Sequence, residues 1–166
     1  PLPRPGCQVD RRRRLIELRI NGEIRQVDAN ADATAVFVLR NTLDLKSPRL
    51  GCGLEQCGAC AVLVDGESTL TCARPVSDFA GRHVETVESL DSPVQDALLQ
   101  ANASQCGYCL SGIIIAAEAL FRREPSPSRE QIVAALEPHL CRCGAHPRVL
   151  RALTSLAASN AEGSPT

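Results

Sequence analysis

The residues best equipped for chemistry in this chain are its cysteines, nine among 166 positions. Eight of them fall into two sets. In the first set Cys52, Cys57 and Cys60 are spaced C-x4-C-x2-C, and Cys72 follows after eleven residues. That is the spacing of plant-type [2Fe–2S] sites. The chemistry accounts for the pattern. Four thiolates must surround two iron atoms, two on each, so a short loop has to wrap closely. Gly51, Gly53 and Gly58 give the loop that freedom. Backbone N–H groups aimed at sulfur then stabilise a negatively charged cluster. Zinc sites more often show two short C-x2-C pairs, so three ligands on one glycine-rich turn favour iron and sulfide.

The second set is Cys106-x2-Cys109 with Cys141-x-Cys143, and 31 residues separate the two pairs. Taken alone it suits either zinc or a cluster. Beside the first set it favours a second [2Fe–2S] site. No Cys-x-His pair is present for a Rieske centre, which needs two histidine ligands on one iron. Each half of the set stands at the start of an expected helix, where free N–H groups and partial positive charge favour an anionic thiolate cluster. Cys7 is left over and reads as an idle thiol.

A disulfide framework is the competing account of so many cysteines, but it needs an even count and a secreted context. The count is odd. The basic run Arg11–Arg14 is followed by Leu15–Ile20, which contains Glu17 and Arg19, so no apolar signal segment follows it. That run reads as a solvated N-terminal arm. The start at Pro1 without any Met suggests an N-terminus that is processed or longer. No apolar run approaches the roughly 18 residues of a membrane span. A net charge of −1 gives no basic footprint for nucleic acid. Eight thiols free for cluster assembly point to a reducing, cytoplasmic location.

Several elements must position these cysteines. Leu15–Ile20 and Glu23–Val27 flank Asn21-Gly22, a strong hairpin signal. Thr34–Thr42 has helical spacing at Val36, Leu39 and Leu43. Ala61–Val64 reads as a short buried strand, turned by Asp65-Gly66 into a partner over Ser68–Ala73 that carries Cys72. The later half reads as four helices. Ser92 and Pro93 open the first. Leu110–Arg123 is apolar almost all round and therefore buried. Ser128 with Gln131 forms a capping box for the third, through Leu136. The fourth follows Pro147 and runs to about Ala158. With three Phe, one Tyr and no Trp, the core must be aliphatic. A metal staple would help so small a core fold.

The runs Gly51-Cys52-Gly53, Cys57-Gly58-Ala59-Cys60, Gln105-Cys106-Gly107-Tyr108-Cys109 and Leu140-Cys141-Arg142-Cys143-Gly144, in this order, resemble the small iron–sulfur subunit of the molybdenum hydroxylases, the xanthine dehydrogenase and aldehyde oxidoreductase family. The resemblance covers about residues 15–158. It implies an α+β fold: a β-grasp, ferredoxin-like domain at 15–76, a linker at 77–90 and a four-helix domain at 91–158, flanked by an arm at 1–14 and a tail at 159–166. It implies two [2Fe–2S] clusters, on Cys52, Cys57, Cys60 and Cys72 and on Cys106, Cys109, Cys141 and Cys143. It also implies contact from Gln105 and Cys143 to a molybdenum pterin, in its cytosine dinucleotide form, held by a large partner subunit. Electrons would pass on to a FAD subunit or a cytochrome. Leu110-Ser111 stands where many relatives have Thr-Pro. The Cys-Arg-Cys-Gly-Ala-His run ending at His146 resembles the branch that hydroxylates N-heteroaromatics, such as nicotinate dehydrogenase and isoquinoline oxidoreductase. His83, His139 and His146 otherwise read as surface or loop residues.

The expected function is therefore electron transfer for an oxidoreductase, with no substrate chemistry on this chain. A free-standing carrier ferredoxin and a zinc-stapled interaction module are the alternatives. The carrier leaves the second half unexplained. The zinc module predicts a colourless protein without sulfide.

Overall fold

The computed structural model describes residues 13–162. Cys7, most of the expected arm and the last four residues of the expected tail lie outside the described residues.

Strands β1 (Arg13–Ile20) and β2 (Glu23–Asn30) pair antiparallel. Asn21 and Gly22 both take positive φ, 53° and 82°, as a two-residue hairpin requires. β1 buries Ile16, Leu18 and Ile20 and exposes Leu15, Glu17 and Arg19, the period of two that a half-buried strand needs. It starts two residues before Leu15, because Arg13 is tied to β2 by its guanidinium, which donates to the Asp28 carbonyl at 2.6 Å. Arg13 and Arg14 thus belong to the sheet rather than to an arm.

Helix α1 (Ala35–Asn41) follows, then a long loop, then β3 (Ala61–Val64) and β4 (Glu67–Leu70). Asp65 and Gly66 repeat the positive-φ turn. β4 is shorter than the sequence suggests, so Cys72 sits two residues beyond its end, in a bend. β5 (His83–Glu85) completes a mixed five-stranded sheet in the order β2-β1-β5-β3-β4. It pairs parallel with β1 and antiparallel with β3. This strand lies inside the stretch expected to be a linker. Three residues are too few to show alternation, and its partners are distant in sequence.

β3 explains its own uniformly apolar text. Ala61 and Leu63 face a core shared with the helices, and Val62 and Val64 face a second core shared with β1, β2 and α1. A strand covered on both faces reads as a continuous hydrophobic run.

Helices α2 (Pro93–Gln100), α3 (Leu110–Arg123), α4 (Arg129–Leu136) and α5 (His146–Glu162) follow. Every residue of α3 from Ser111 to Phe121 is buried, which makes it the axis of the helical core. α3 starts at Leu110 although the local text there is Leu-Ser. Ser128 and Gln131 cap α4 reciprocally. Ser92 holds the N-cap position of α2, but its hydroxyl makes no capping bond and is buried without a partner. α5 begins at His146, one residue before Pro147, and runs on to Glu162. Its final turn is held where Asn160 donates to the Pro125 carbonyl at 2.7 Å, so Ser159–Glu162 are helix and not tail. Among the described residues, no helix is long and apolar enough to cross a membrane.

Candidate iron–sulfur centres

The first cysteine set is built by the loop between α1 and β3 and by the bend after β4. Gly53, Glu55 and Gly58 all take positive φ, which coils the loop back on itself. The coil turns N–H groups inward onto sulfur. Leu54 and Gln56 donate to Cys52 Sγ at 3.3 and 3.2 Å, and Cys52 donates to Cys57 Sγ at 3.4 Å. Glu55 donates to Cys72 Sγ and Thr71 to Cys60 Sγ, both at 3.4 Å. A Cβ on Gly51 would lie 2.7 Å from Cys57 Sγ, so only glycine leaves that sulfur room.

The thiols stand in pairs, Cys52 beside Cys57 and Cys60 beside Cys72. The outer pair is more exposed and the inner pair buried. The electrostatics follow the burial. The N–H groups of Leu54 and Gln56 pull the Cys52 thiol down to about 7, toward thiolate. Burial, together with neighbouring Cys60 and Cys52, pushes the Cys72 thiol up to about 11.

The second set repeats this design from helix starts. Cys109 is the N-cap of α3, and Cys106 lies one turn before it. Cys141 and Cys143 lie in the loop that leads into α5. Cys106 pairs with Cys143, and Cys109 with Cys141. Tyr108 donates to Cys106 Sγ at 3.5 Å and Ala145 to Cys141 Sγ at 3.3 Å. The Tyr108 N–H and neighbouring Cys143 lower Cys106, and burial followed by Cys141 raises Cys109 to about 11. For Cys141 burial works upward, yet the Ala145 N–H and further donors outweigh it and lower the thiol.

All eight described cysteines are free thiols. Among the described residues no three or more His, Cys, Asp or Glu are gathered as one metal ion would need. Two adjacent pairs per set, with backbone donors to the sulfurs, are instead the donor arrangement that a two-iron cluster takes: two thiolates per iron, in a cradle that stabilises negative charge. The residues present therefore fit the group.

The two sets meet. One cavity is lined by Gly51, Cys52, Cys57, Cys106, Cys109 and Cys141, among others. Leu140, next to Cys141, donates its N–H to the Cys57 carbonyl at 3.1 Å. Gln105 is exposed and donates from Nε2 to the Cys143 carbonyl at 3.0 Å, tying together the two loops of the second set.

Three residues escape a reading of the sequence. Arg49 and Tyr108 reach across between the sets. His139, expected to be a surface or loop residue, does lie in a loop but is only 4% exposed, and its Nδ1 is buried without a hydrogen bond. It packs on Gly58, where an added Cβ would lie 2.1 Å from Nδ1. Burial, and secondarily His146, holds its imidazole down to about 4, so it is neutral. Its Leu-Cys surroundings give no hint of burial, because the loop and α3 that cover it are remote in sequence. His83 and His146 are half-buried, one in β5 and one opening α5.

The chain is similar to known proteins along most of its length. A family model described as a [2Fe-2S] binding domain matches residues 83–154. A nicotinate dehydrogenase subunit of Pseudomonas putida is 46% identical over 143 residues, covering 83% of this chain and 91% of that protein. The alpha subunit of isoquinoline 1-oxidoreductase from Brevundimonas diminuta is 41% identical, covering 81% of this chain and 92% of the relative. Among solved structures, quinoline 2-oxidoreductase from Pseudomonas putida 86 superposes with a TM-score of 0.84 at 27% identity, over 93% of this chain and 99% of that one. Aldehyde oxidoreductase from Desulfovibrio desulfuricans gives 0.83 at 33% identity, over 89% of this chain and 17% of the larger one. With paired thiols, inward N–H donors and these likenesses together, the chain belongs to the [2Fe–2S] small subunits of the molybdenum hydroxylases, the xanthine dehydrogenase family.

Proposed function

We propose that this chain is the electron-transfer subunit of a molybdenum-containing hydroxylase. Cys52, Cys57, Cys60 and Cys72 would hold one [2Fe–2S] cluster, and Cys106, Cys109, Cys141 and Cys143 the other. When bound, the clusters supply one-electron carriage to an external acceptor from a molybdenum pterin held by a large partner subunit. The observation that carries this reading is the donor arrangement: two sets of paired thiols, each with backbone N–H groups on its sulfurs.

The chain's own residues hold the thiolates, neutralise part of their charge through N–H donation, and keep side-chain bulk away from sulfur at Gly51. The β1–β5 sheet with α1 is read as a β-grasp unit, and α2–α5 as a helical unit around the second set. Gln105 and Cys143, joined by their hydrogen bond, form the surface proposed to meet the pterin, in its cytosine dinucleotide form. The relatives named for nicotinate and isoquinoline favour an N-heteroaromatic substrate on the partner. The proposed acceptor is a FAD subunit or a cytochrome. Assembly of two clusters on eight thiols suits the cytoplasm.

Metal analysis tests the reading. A red-brown protein carrying about four iron and four sulfide per chain, as two [2Fe–2S] sites require, supports it. A colourless zinc protein without sulfide overturns it. Native purification adds a second arm: the chain comes with a large molybdenum-containing subunit, whereas a carrier ferredoxin comes alone.

A further inference from the structure

The two cysteine sets are far apart in sequence, yet a small group of side-chain contacts locks one to the other. Arg49 sits three residues before Cys52, half-buried, and its own N–H donates to the Ala59 carbonyl at 2.8 Å, which fixes it to the first loop. Its guanidinium reaches the second loop and donates to the Gly107 carbonyl at 2.6 Å. Gly107 lies between Cys106 and Cys109. The same guanidinium lies 5.3 Å from the centroid of the Tyr108 ring, within cation–π range. Tyr108 returns the contact: its hydroxyl donates to the Leu50 carbonyl at 2.7 Å, two residues before Cys52. Two hydrogen bonds therefore cross in opposite directions with a stack between them.

We infer that Arg49 and Tyr108 are positioning residues that fix the second cysteine set against the first, and thereby set the coupling between the two clusters. This rests on the functional reading above. The residue types suit the task. A guanidinium donates to a carbonyl and faces a ring with its donors held in one rigid plane, which a lysine ammonium on a flexible stem does not reproduce, so lysine replaces it poorly. Phenylalanine keeps the ring and loses the crossing bond. Tyr108 is 47% exposed, so water can satisfy the Leu50 carbonyl when the hydroxyl is gone. The Leu140–Cys57 backbone bond survives these substitutions. Loss of the clasp should therefore leave the chain folded and change the relative placement of the two sets.

The test is EPR spectroscopy of the full chain in its native assembly, with both clusters reduced, reading the spin–spin interaction between them. The variants are Tyr108→Phe, Arg49→Lys, Arg49→Gln and the double Arg49→Gln/Tyr108→Phe. Iron and sulfide content and the two separate signals should match the parent protein. The interaction should weaken in each single variant, less for Arg49→Lys than for Arg49→Gln, and fall furthest in the double variant. An unchanged interaction in the double variant with both clusters loaded overturns the clasp and leaves the functional reading standing. Loss of the second signal from Tyr108→Phe would show a need in assembly rather than placement, and also overturns it. A parent protein without two clusters overturns both the clasp and the functional reading.

Discussion

Two sulfurs with opposite tendencies occur in each cysteine set. Cys52 is drawn toward thiolate by the Leu54 and Gln56 N–H groups, while burial holds Cys72 as a thiol. On the proposed reading a bound positive centre is what makes Cys72 ionise at neutral pH, so the fold prepares Cys52 and leaves Cys72 to the metal. Changing Cys52, Cys57 or Cys60 to Ser should disturb one EPR signal and leave the other, since the second set draws its donors from Tyr108 and Ala145. Loss of both signals from a chain that is still folded would contradict separate assembly. Gln105 carries another residue-scale expectation. Gln105→Ala removes one exposed hydrogen bond to the Cys143 carbonyl, a cost on the order of 1 kcal/mol. Both clusters should remain, with pterin retention weakened or cluster reduction by substrate slowed in rapid-mixing experiments. Unchanged molybdenum content and an unchanged reduction rate would remove the role given to Gln105.

At the scale of elements, the first turn of α3 and the Cys57–Cys60 loop approach so closely that side chains are excluded. A Cβ on Gly112 would lie 2.1 Å from the Gly58 carbonyl oxygen, and one on Gly58 would strike His139. Gly58 also needs its positive φ of 73°. Gly112→Ala should therefore cost more than about 3 kcal/mol, the upper range for overpacking, because backbone and not a flexible side chain must yield. Differential scanning calorimetry of the holoprotein would measure it, and a melting temperature within a degree or so of the parent would refute the close approach. These contacts are not legible in the sequence. There Gly58 is a loop glycine freeing the cysteines, whereas its partners on α3 and at His139 are brought in from more than fifty positions away. By contrast the Ser128–Gln131 box and both positive-φ turns are legible, because their partners lie within three residues.

Across the whole molecule, Arg122 on α3 joins the helices to the sheet. It donates to both carboxylate oxygens of Glu85 on β5, at 2.8 and 3.0 Å, and to Glu118 at 2.9 Å. The hydrogen bonds from Arg122 hold the Glu85 carboxyl below its usual 4.5 against the opposing effect of burial. A carboxyl with a lowered pKa binds fewer protons folded than unfolded at mildly acid pH. Its contribution is therefore full above about 4.5 and is lost as the pH falls through the folded value. Glu85→Gln should cost about 1 kcal/mol at neutral pH, since Arg122 is partly exposed. The gap from the parent protein should close in acid. A gap independent of pH in denaturation experiments would show that the pair contributes through packing and not charge.

The proposed cluster ligands and most local structure are legible in the amino-acid text. On the proposed reading cysteine spacing follows the reach of a short loop around two irons, and hairpin turns and caps depend on residues a few positions apart. What depends on distant partners becomes visible only in the folded chain. β5 becomes the middle strand because Arg19–Ile20 and Leu63–Val64 both offer edges to it, and no alternation within three residues could announce that. Cys72 lies past β4 because its sulfur is fixed beside Cys60 and by the Glu55 N–H rather than by strand pairing. Each hydrogen bond of the clasp, Arg49 to Gly107 and Tyr108 to Leu50, spans 58 positions. Neither residue carries a mark of it, since an arginine and a half-exposed tyrosine acquire such a role only when the fold closes the space between them.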